Sequence, residues 1–207
     1  MSVFCRWFGL MAGMIMILLF SACTTTKTEL SSWVNPQVGH FHPRHVLVIA
    51  VVPREPMREV FESKIVEELQ AQGIKATPSF KVSRISHWQD KTQLESLIHE
   101  LRADSVLIAE LIGVEEKEVV HPPQTYSVPA GGYYGYYMYG WRTVHQPGYV
   151  TRHQVVRIES NLYDARKDQL VWSARSQTID PENALNAMDS VIAAMMADLK
   201  DKGLIGH

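Results

Sequence analysis

Clustered histidines are the side chains in this sequence best suited to holding a metal ion. They form one group before the first apolar strand and a second group beside a tyrosine-rich segment, namely His40, His42 and His45, then His121, His145 and His153. Neutral imidazole is a common ligand of Zn²⁺ and Cu²⁺. No HExxH spacing occurs, however, and Pro43 interrupts any helical register between His42 and His45. Solvent-exposed histidines without a metal are therefore the main interpretation, and no metal ligand is assigned. The alternative function is binding of Zn²⁺ or Cu²⁺ through the clustered histidines.

Carboxylates are numerous, but none has the spacing of a catalytic pair. We expect Glu67 and Glu68 on a helix surface, and Glu115, Glu116 and Glu118 on a strand that emerges into solvent. The sequence contains no G-x-S-x-G nucleophile turn, no P-loop and no G-x-G-x-x-G phosphate cradle. We therefore expect no catalytic residue and no cofactor.

The segment 121–149 has an unusual composition. Seven of the eight tyrosines lie in residues 126–149, together with Trp141, and Arg142 is the only formal charge of the segment. Its glycines and prolines disfavour a helix and weaken a strand, so a long loop between two strands is predicted.

Aromatic side chains of this kind are typical of contact surfaces. Tyrosine and tryptophan dominate binding hot spots, and they also suit membrane headgroups and the faces of sugar rings. We hypothesise that the loop binds a protein, the lipid interface or glycan, with self-association as a further option. The alternative is a loop that has no partner or that folds over its own domain. The candidate contact residues are Tyr133, Tyr134, Tyr136, Tyr137, Tyr139 and Trp141.

The two cysteines, Cys5 and Cys23, both precede the folded part of the chain. That part can therefore have neither a disulfide framework nor a thiolate metal site. Residues 1–22 are typical of a secretory signal peptide, with Arg6 before an uncharged, mostly apolar run at residues 8–20. The run is shorter than the roughly 20 residues that cross a bilayer comfortably.

The sequence Leu19-Phe20-Ser21-Ala22-Cys23 resembles a bacterial lipobox. In proteins with that motif the signal is cut before the cysteine, the thiol is diacylated, and the new amino group is usually acylated too. Phe20 departs from the motif, because leucine is commoner at that position. An ordinary signal peptide and an uncleaved anchor helix are the alternatives.

Lipidation of Cys23 implies attachment to a membrane. Stable anchoring requires two membrane-binding groups, such as two acyl chains, and three acyl chains exceed this number. Thr24 stands where an aspartate would resemble an inner-membrane retention signal, so the resemblance implies the periplasmic face of the outer membrane. Residues 23–44 are predicted to be the acylated cysteine with a flexible tether, 24–32, and an extended lead-in.

Length and composition are those of one globular domain. The 207 residues are 46% hydrophobic and carry a formal net charge of −2. This charge provides no global field that would favour nucleic acid. We therefore expect no binding of nucleic acid. Because no catalytic motif occurs either, we expect a non-catalytic accessory or structural component of the envelope. The alternative function is that of a periplasmic lipoprotein that binds Zn²⁺ or Cu²⁺ through the clustered histidines.

Residues 45–205 are predicted to form a single α/β domain. In the first helix, Arg58 and Glu62 are expected among the polar residues around the apolar stripe. Trp172 is expected in the core, at the end of a hairpin. The order β-α-β-α-β-β-β-α predicts one mixed sheet with helices packed on it. The predicted elements are strand 46–52, helix 57–69, edge strand 74–80, helix 90–101, the long strand 105–120, strands 150–163 and 170–177, and helix 181–199.

The combination resembles a family of uncharacterised Gram-negative lipoproteins. Four features carry the resemblance: the lipobox, the first strand VLVIAVVP, a Glu-rich helix, and the hairpin LYDARKDQLVWSARSQ. The hairpin has the form LxDxxxxxLVW and follows an aromatic and glycine-rich loop. It covers about residues 45–202. The fold it implies is similar to the TolB amino-terminal domain and to the periplasmic domain of the curli-secretion lipoprotein. Its motifs imply no catalytic or ligand residue, and fold analogy gives no function.

Overall fold

The computed structural model describes residues 28–39, 41–82 and 91–206. Within these residues the chain forms a six-stranded sheet, a separate two-stranded hairpin and five helices. The strands are β1 (Thr28–Val34), β2 (His45–Val51), β3 (Lys75–Pro78), β4 (Ser105–His121), β5 (Gln124–Pro129), β6 (Trp141–Gln146), β7 (Tyr149–Asp164) and β8 (Gln169–Ile179). The helices are α1 (Glu55–Ala71), α2 (Ser79–Val82), α3 (Lys91–Leu101), α4 (Gly132–Tyr139) and α5 (Ala184–Asp201).

The large sheet is mixed, as predicted. Its spatial order is β1-β8-β7-β4-β2-β3. Strands β3, β2 and β4 are parallel, whereas β4, β7, β8 and β1 pair as antiparallel neighbours. The exact predicted order is not confirmed, because it lacked β1, α2 and the elements between β4 and β7.

Strand β2 lies at the centre of the core, and both of its faces are covered. Val46, Val48 and Ala50 belong to the apolar cluster that packs beneath α1 and α5. Leu47 and Ile49 belong to a second cluster, beneath α3. This burial explains why the strand is a continuous apolar run with no polar alternation.

Strand β1 corrects the predicted tether. Residues 28–32 were expected to be flexible, but Thr28–Val34 pairs along its whole length with β8. Leu30 and Val34 pack against the main core, while β8 provides hydrogen-bond partners for the backbone. The sequence did not predict this pairing, because serines separate the apolar residues of the strand. The rest of the tether and Cys23 lie outside the described residues, as does Asp90, the predicted cap of α3.

Helix α1 corrects a second expectation, because Arg58 and Glu62 are buried and not on its solvated side. One carboxylate oxygen of Glu62 accepts hydrogen bonds from the Ala50 amide, at 2.9 Å, and from the Ser79 hydroxyl, at 2.6 Å. Arg58 Nε lies 3.1 Å from the same oxygen, and the Phe80 amide lies 3.0 Å from the other. The chain at the start of α2 closes over this side of α1, which satisfies a charge that would otherwise be costly to bury.

Helix α5 closes the sheet as predicted. Met188, Ile192, Met195 and Leu199 are buried, although Leu185, expected in the same stripe, is 44% exposed near the helix start. None of the helices in the described ranges is long and apolar enough to cross a bilayer.

Candidate interaction surface at the aromatic tip

Strands β4 and β7 extend beyond the rest of the sheet as a two-stranded ribbon. β2 pairs with β4 only as far as Glu110, and β8 pairs with β7 only from Val155 onward. β4 and β7 nevertheless stay in register to the pair His121↔Tyr149. We call residues 116–121 and 149–154 the arm. Six residues of strand make it about 20 Å long.

The arm begins just beyond an irregularity in β4, where the register shifts between Leu111 and Gly113. Such bulges bend a strand and increase its twist. The sequence had predicted a strand that leaves the core and becomes charged, and the structure confirms it.

The side chains of the arm form ion pairs in solvent. Arg152 Nε lies 2.9 Å from Glu118 and 3.7 Å from Glu116, across the two strands. At the base of the arm, His153 bonds to Asp180, which lowers the pKa of that carboxyl, with help from the Gln154 amide. Exposed pairs of this kind contribute little individually, but opposite charges across a ribbon favour its register.

The arm ends at a packed junction. The rings of His121 and Tyr149 stack with their centroids 4.3 Å apart and their planes at 14°. Next to them, Gly148 lies so close to the other strand that a Cβ there would come within 2.9 Å of the His121 carbonyl oxygen and of Pro123 Cδ. Only glycine allows this approach.

Beyond the junction the chain is ordered, so the prediction of a long irregular loop over 121–149 is wrong. β5 and β6 pair from Gln124↔Gln146 to Pro129↔Trp141, and α4 joins them. We call residues 124–146 the tip. A 2.8 Å hydrogen bond from the Ala130 amide to the Gly140 carbonyl closes the base of α4.

The positions of the glycines explain why a loop was predicted where the structure has a helix. Gly132 and Gly140 have φ values of +72° and +62°, and they lie at the start of α4 and immediately after its end. Glycine at these positions relieves the strain of a left-handed backbone and ends a helix cleanly. Gly135 lies inside α4, where a Cβ would make only ordinary contacts with Ala130. The loop was predicted from glycine content alone, but the position of each glycine relative to the helix decides its effect.

The structure brings all six candidate contact residues together at the tip. Five are on α4, and Trp141 begins β6. Tyr133 is 93% exposed, Tyr137 83% and Trp141 62%, so these rings do not fold over the described domain. Tyr136 packs edge-to-face against Trp141 with centroids 6.4 Å apart, which fixes two rings relative to each other.

Two more side chains of the tip share this exposure and were not among the six candidates. Tyr126 on β5 is 47% exposed, and Met138 on α4 is 52% exposed. Their apolar type within the same segment was the available signal. With Arg142 as its only formal charge, the tip is an aromatic surface of the composition that marks interaction sites.

The two ends of the sheet differ in chemistry. At the end from which the arm emerges, a cavity of about 560 Å³ is lined mainly by apolar side chains, among them Met57, Leu111 and Met188. At the opposite end, a cavity of about 400 Å³ is lined by charged groups that include Arg44 and Asp104. The Asp104 carboxylate at this end already accepts hydrogen bonds from the backbone amides of Arg44 and His45.

The histidines are distributed over separate local contacts. His45 is buried against Thr77, and burial, with the nearby charge of Lys75, lowers its pKa. His145 bonds to Thr125 on the tip, whereas His121 stacks at the junction. His40 lies outside the described residues. Within the residues that are described, no group of three or more His, Cys, Asp or Glu side chains could hold a metal ion. The metal-binding alternative gains no support.

Comparisons with known proteins give one family and several distant structural likenesses. The family described as Domain of unknown function (DUF4136) matches residues 50–199. No curated protein matches the chain. Similarity to the TolB amino-terminal domain or to the curli-secretion lipoprotein stays a prediction.

Solved structures resemble the chain only distantly. A PelC variant from Paraburkholderia phytofirmans, solved as a dodecamer, is 14% identical with a TM-score of 0.45, and the match covers 83% of this chain and 94% of that one. Lipoprotein GNA1162 from Neisseria meningitidis is 13% identical with a TM-score of 0.42, over 77% of this chain and 99% of that one. Likeness at this level does not establish a function.

Proposed function

Because the chain belongs to the family described as Domain of unknown function (DUF4136), whose description names no activity, we propose a role from the chain's own residues. In this proposal the protein is a lipid-anchored accessory or structural component of the cell envelope, and it acts by binding through the aromatic tip and not by catalysis. The exposure of the tip supports this proposal: rings that would otherwise be buried are held in solvent at the end of an arm about 20 Å long.

The anchor part of the proposal depends on Cys23. The small residues Ser21 and Ala22 before it and the apolar run before them support cleavage and acylation at this cysteine. Thr24 supports outer-membrane placement, with the domain on the periplasmic face. Radiolabelled palmitate should enter the protein in its host and should not enter a Cys23→Ser variant. Equal fractionation of the two proteins, with no label in either, would overturn the anchor.

The binding part of the proposal depends on the tip. Strands β4 and β7 already meet at His121↔Tyr149, so residues 124–147 can be replaced by a short glycine link without separating the arm. We expect this deletion variant to remain folded and anchored, and to reproduce the envelope defects of cells that lack the protein. The variant Trp33→Ser is the matched control, because Trp33 is 50% exposed on β1, away from the tip. A deletion variant that behaves like wild type would exclude the tip as the acting surface.

A further inference from the structure

Strand β1 begins at the end of the sheet from which the arm emerges. Thr28, the first residue of β1, pairs with Thr178 on β8, Thr178 pairs with Val156 on β7, and Val156 pairs with Val114 on β4. These residues form one row across the sheet. β1 runs in the same direction as β7, and β7 begins at the arm, so Thr28 lies at the end of the sheet from which the arm emerges.

The distance from that row to the anchor is short. Cys23 precedes Thr28 by five residues, which span at most about 18 Å even when fully extended. The Thr28 hydroxyl also fixes this residue: it donates a 2.7 Å hydrogen bond to Ser190 Oγ and forms a 2.6 Å hydrogen bond with the Thr178 hydroxyl. Unpairing β1 to lengthen the tether would break these bonds.

The arm reaches farther than the tether. From the row of Val156 to Tyr149 is seven strand positions, or about 24 Å, and the tip lies beyond Tyr149. When the arm points toward the bilayer that holds an acylated Cys23, the tip therefore reaches that bilayer, because the arm is longer than the extended tether.

The chemistry of the tip fits the headgroup region of a bilayer. Tyrosine and tryptophan concentrate at membrane interfaces, where an apolar ring meets a polar edge. The tip contains no carboxylate, and its one charge, Arg142, is attracted to anionic phospholipid. The end of the sheet that would face the bilayer also has the apolar cavity, whereas the charged cavity is at the far end.

We propose that the aromatic tip inserts into the headgroup region of the same leaflet that holds the acylated Cys23. The protein is then attached at two points, and the arm fixes the orientation of the domain relative to the membrane. This inference rests on the proposed function, because it requires the lipid anchor. A protein that binds the tip is the competing outcome.

The test uses the full lipidated protein, reconstituted into vesicles of phosphatidylethanolamine and phosphatidylglycerol. Because acylation blocks the thiol of Cys23 and the remaining mature chain has no cysteine, Tyr134→Cys introduces the only reactive thiol. An environment-sensitive fluorophore attached there reports on the tip. Lys167→Cys is the control site, since Lys167 is exposed at the opposite end of the sheet.

We expect the emission of the fluorophore at position 134 to shift to shorter wavelength and to be quenched by lipid with a headgroup spin label. The fluorophore at position 167 should show the emission of an aqueous environment. Position 134 in an aqueous environment, with the protein lipidated and reconstituted, would overturn membrane insertion and leave a protein partner for the tip. A free, reactive thiol at Cys23 would overturn both the insertion and the anchor, so the two failures are distinguishable.

A second measurement isolates the aromatic rings. The unacylated Cys23→Ser chain, with residues 1–22 removed, should bind the same vesicles weakly through the tip alone. The variant Tyr133→Ser, Tyr137→Ser, Trp141→Ser should lower the partition coefficient by about tenfold or more, because burial of even one large ring is worth that factor. Trp33→Ser should leave the coefficient unchanged. Equal loss in both variants would contradict a role of the tip.

Discussion

The indole nitrogen of Trp172 donates a 2.7 Å hydrogen bond to Oδ2 of Asp198, and this bond joins the last strand of the sheet to the closing helix. The other carboxylate oxygen accepts a 2.9 Å hydrogen bond from the hydroxyl of Ser32. One side chain of α5 therefore holds both β8 and the edge strand β1. Trp172 is fully buried, so its N–H group would have no access to water as a substitute partner.

Removal of this carboxylate should destabilise the fold. We expect Asp198→Ala to lower the free energy of unfolding by about 1–3 kcal/mol, because a buried donor loses its acceptor. Denaturant unfolding followed by circular dichroism measures the change. Asp201→Ala is the control on the same helix, since Asp201 is exposed and forms an ion pair with the neighbouring Lys202, and it should change stability by less than about 0.5 kcal/mol. Equal effects of the two substitutions would contradict the role of Asp198.

Loss of the buried Glu62 should lower the free energy of unfolding more than loss of Asp198. Its removal in Glu62→Ala leaves the Arg58 guanidinium without its buried counter-charge and the amides of Ala50 and Phe80 without an acceptor. We expect a loss of about 3–5 kcal/mol, enough to unfold much of the protein at ordinary temperature. Thermal unfolding compares this variant with Glu67→Ala, which alters an exposed site on the same helix. A small effect of Glu62→Ala would show that water replaces these contacts.

His45 should make the stability of the fold depend on pH. Its pKa in the folded protein is below the ordinary value of 6.5, chiefly because burial disfavours the charged form and because Lys75 is near. Between the folded and the unfolded pKa, the unfolded chain binds more protons. The free energy of unfolding should therefore fall as the pH drops below 6.5, until the folded pKa is also passed.

Denaturant unfolding over a pH series tests this slope. His45→Gln, which does not titrate, should flatten the fall in stability below pH 6.5, while the exposed His145→Gln should keep it. The same slope in wild type and His45→Gln would assign the dependence to other groups.

Gly148 should control the junction between arm and tip and not the stability of the domain. In Gly148→Ala the new Cβ would meet backbone and ring atoms of His121 and Pro123, at 2.9–3.0 Å, so the tip must shift. We expect faster hydrogen exchange in β5 and β6 with little change in global unfolding. Gly113→Ala is the control, because a Cβ there meets nothing within 4 Å. Unchanged exchange in Gly148→Ala would show that the junction adapts.

The sequence predicted those strands and helices whose hydrophobic pattern fits only one kind of secondary structure. The continuous apolar run of β2, the alternation of Ile158, Ser160 and Leu162 on β7, and the stripe of α5 each matched their period. β1 could not be predicted, because its pairing depends on the distant strand β8 and three of its seven residues are serine or threonine. The burial of Glu62 also depended on a distant contact, with Ser79.

The candidate site was predictable in its residues but not in its form. The density of tyrosine identified the six aromatic side chains, and the structure places all of them at the tip. Glycine and proline content predicted a loop, because composition does not show that Gly132 and Gly140 lie at the two ends of a helix. Nor could the sequence show that Thr28 and the arm share one end of the sheet.

Photo-crosslinking in intact cells tests most directly the claim that the tip is the surface through which the protein acts. A photoreactive residue replaces Tyr134 on the tip in one variant and Lys167, exposed at the far end of the sheet, in another. We predict adducts, with lipid or with a defined protein, from position 134 and not from position 167. No adduct from position 134, or the same adducts from both positions, would contradict the account.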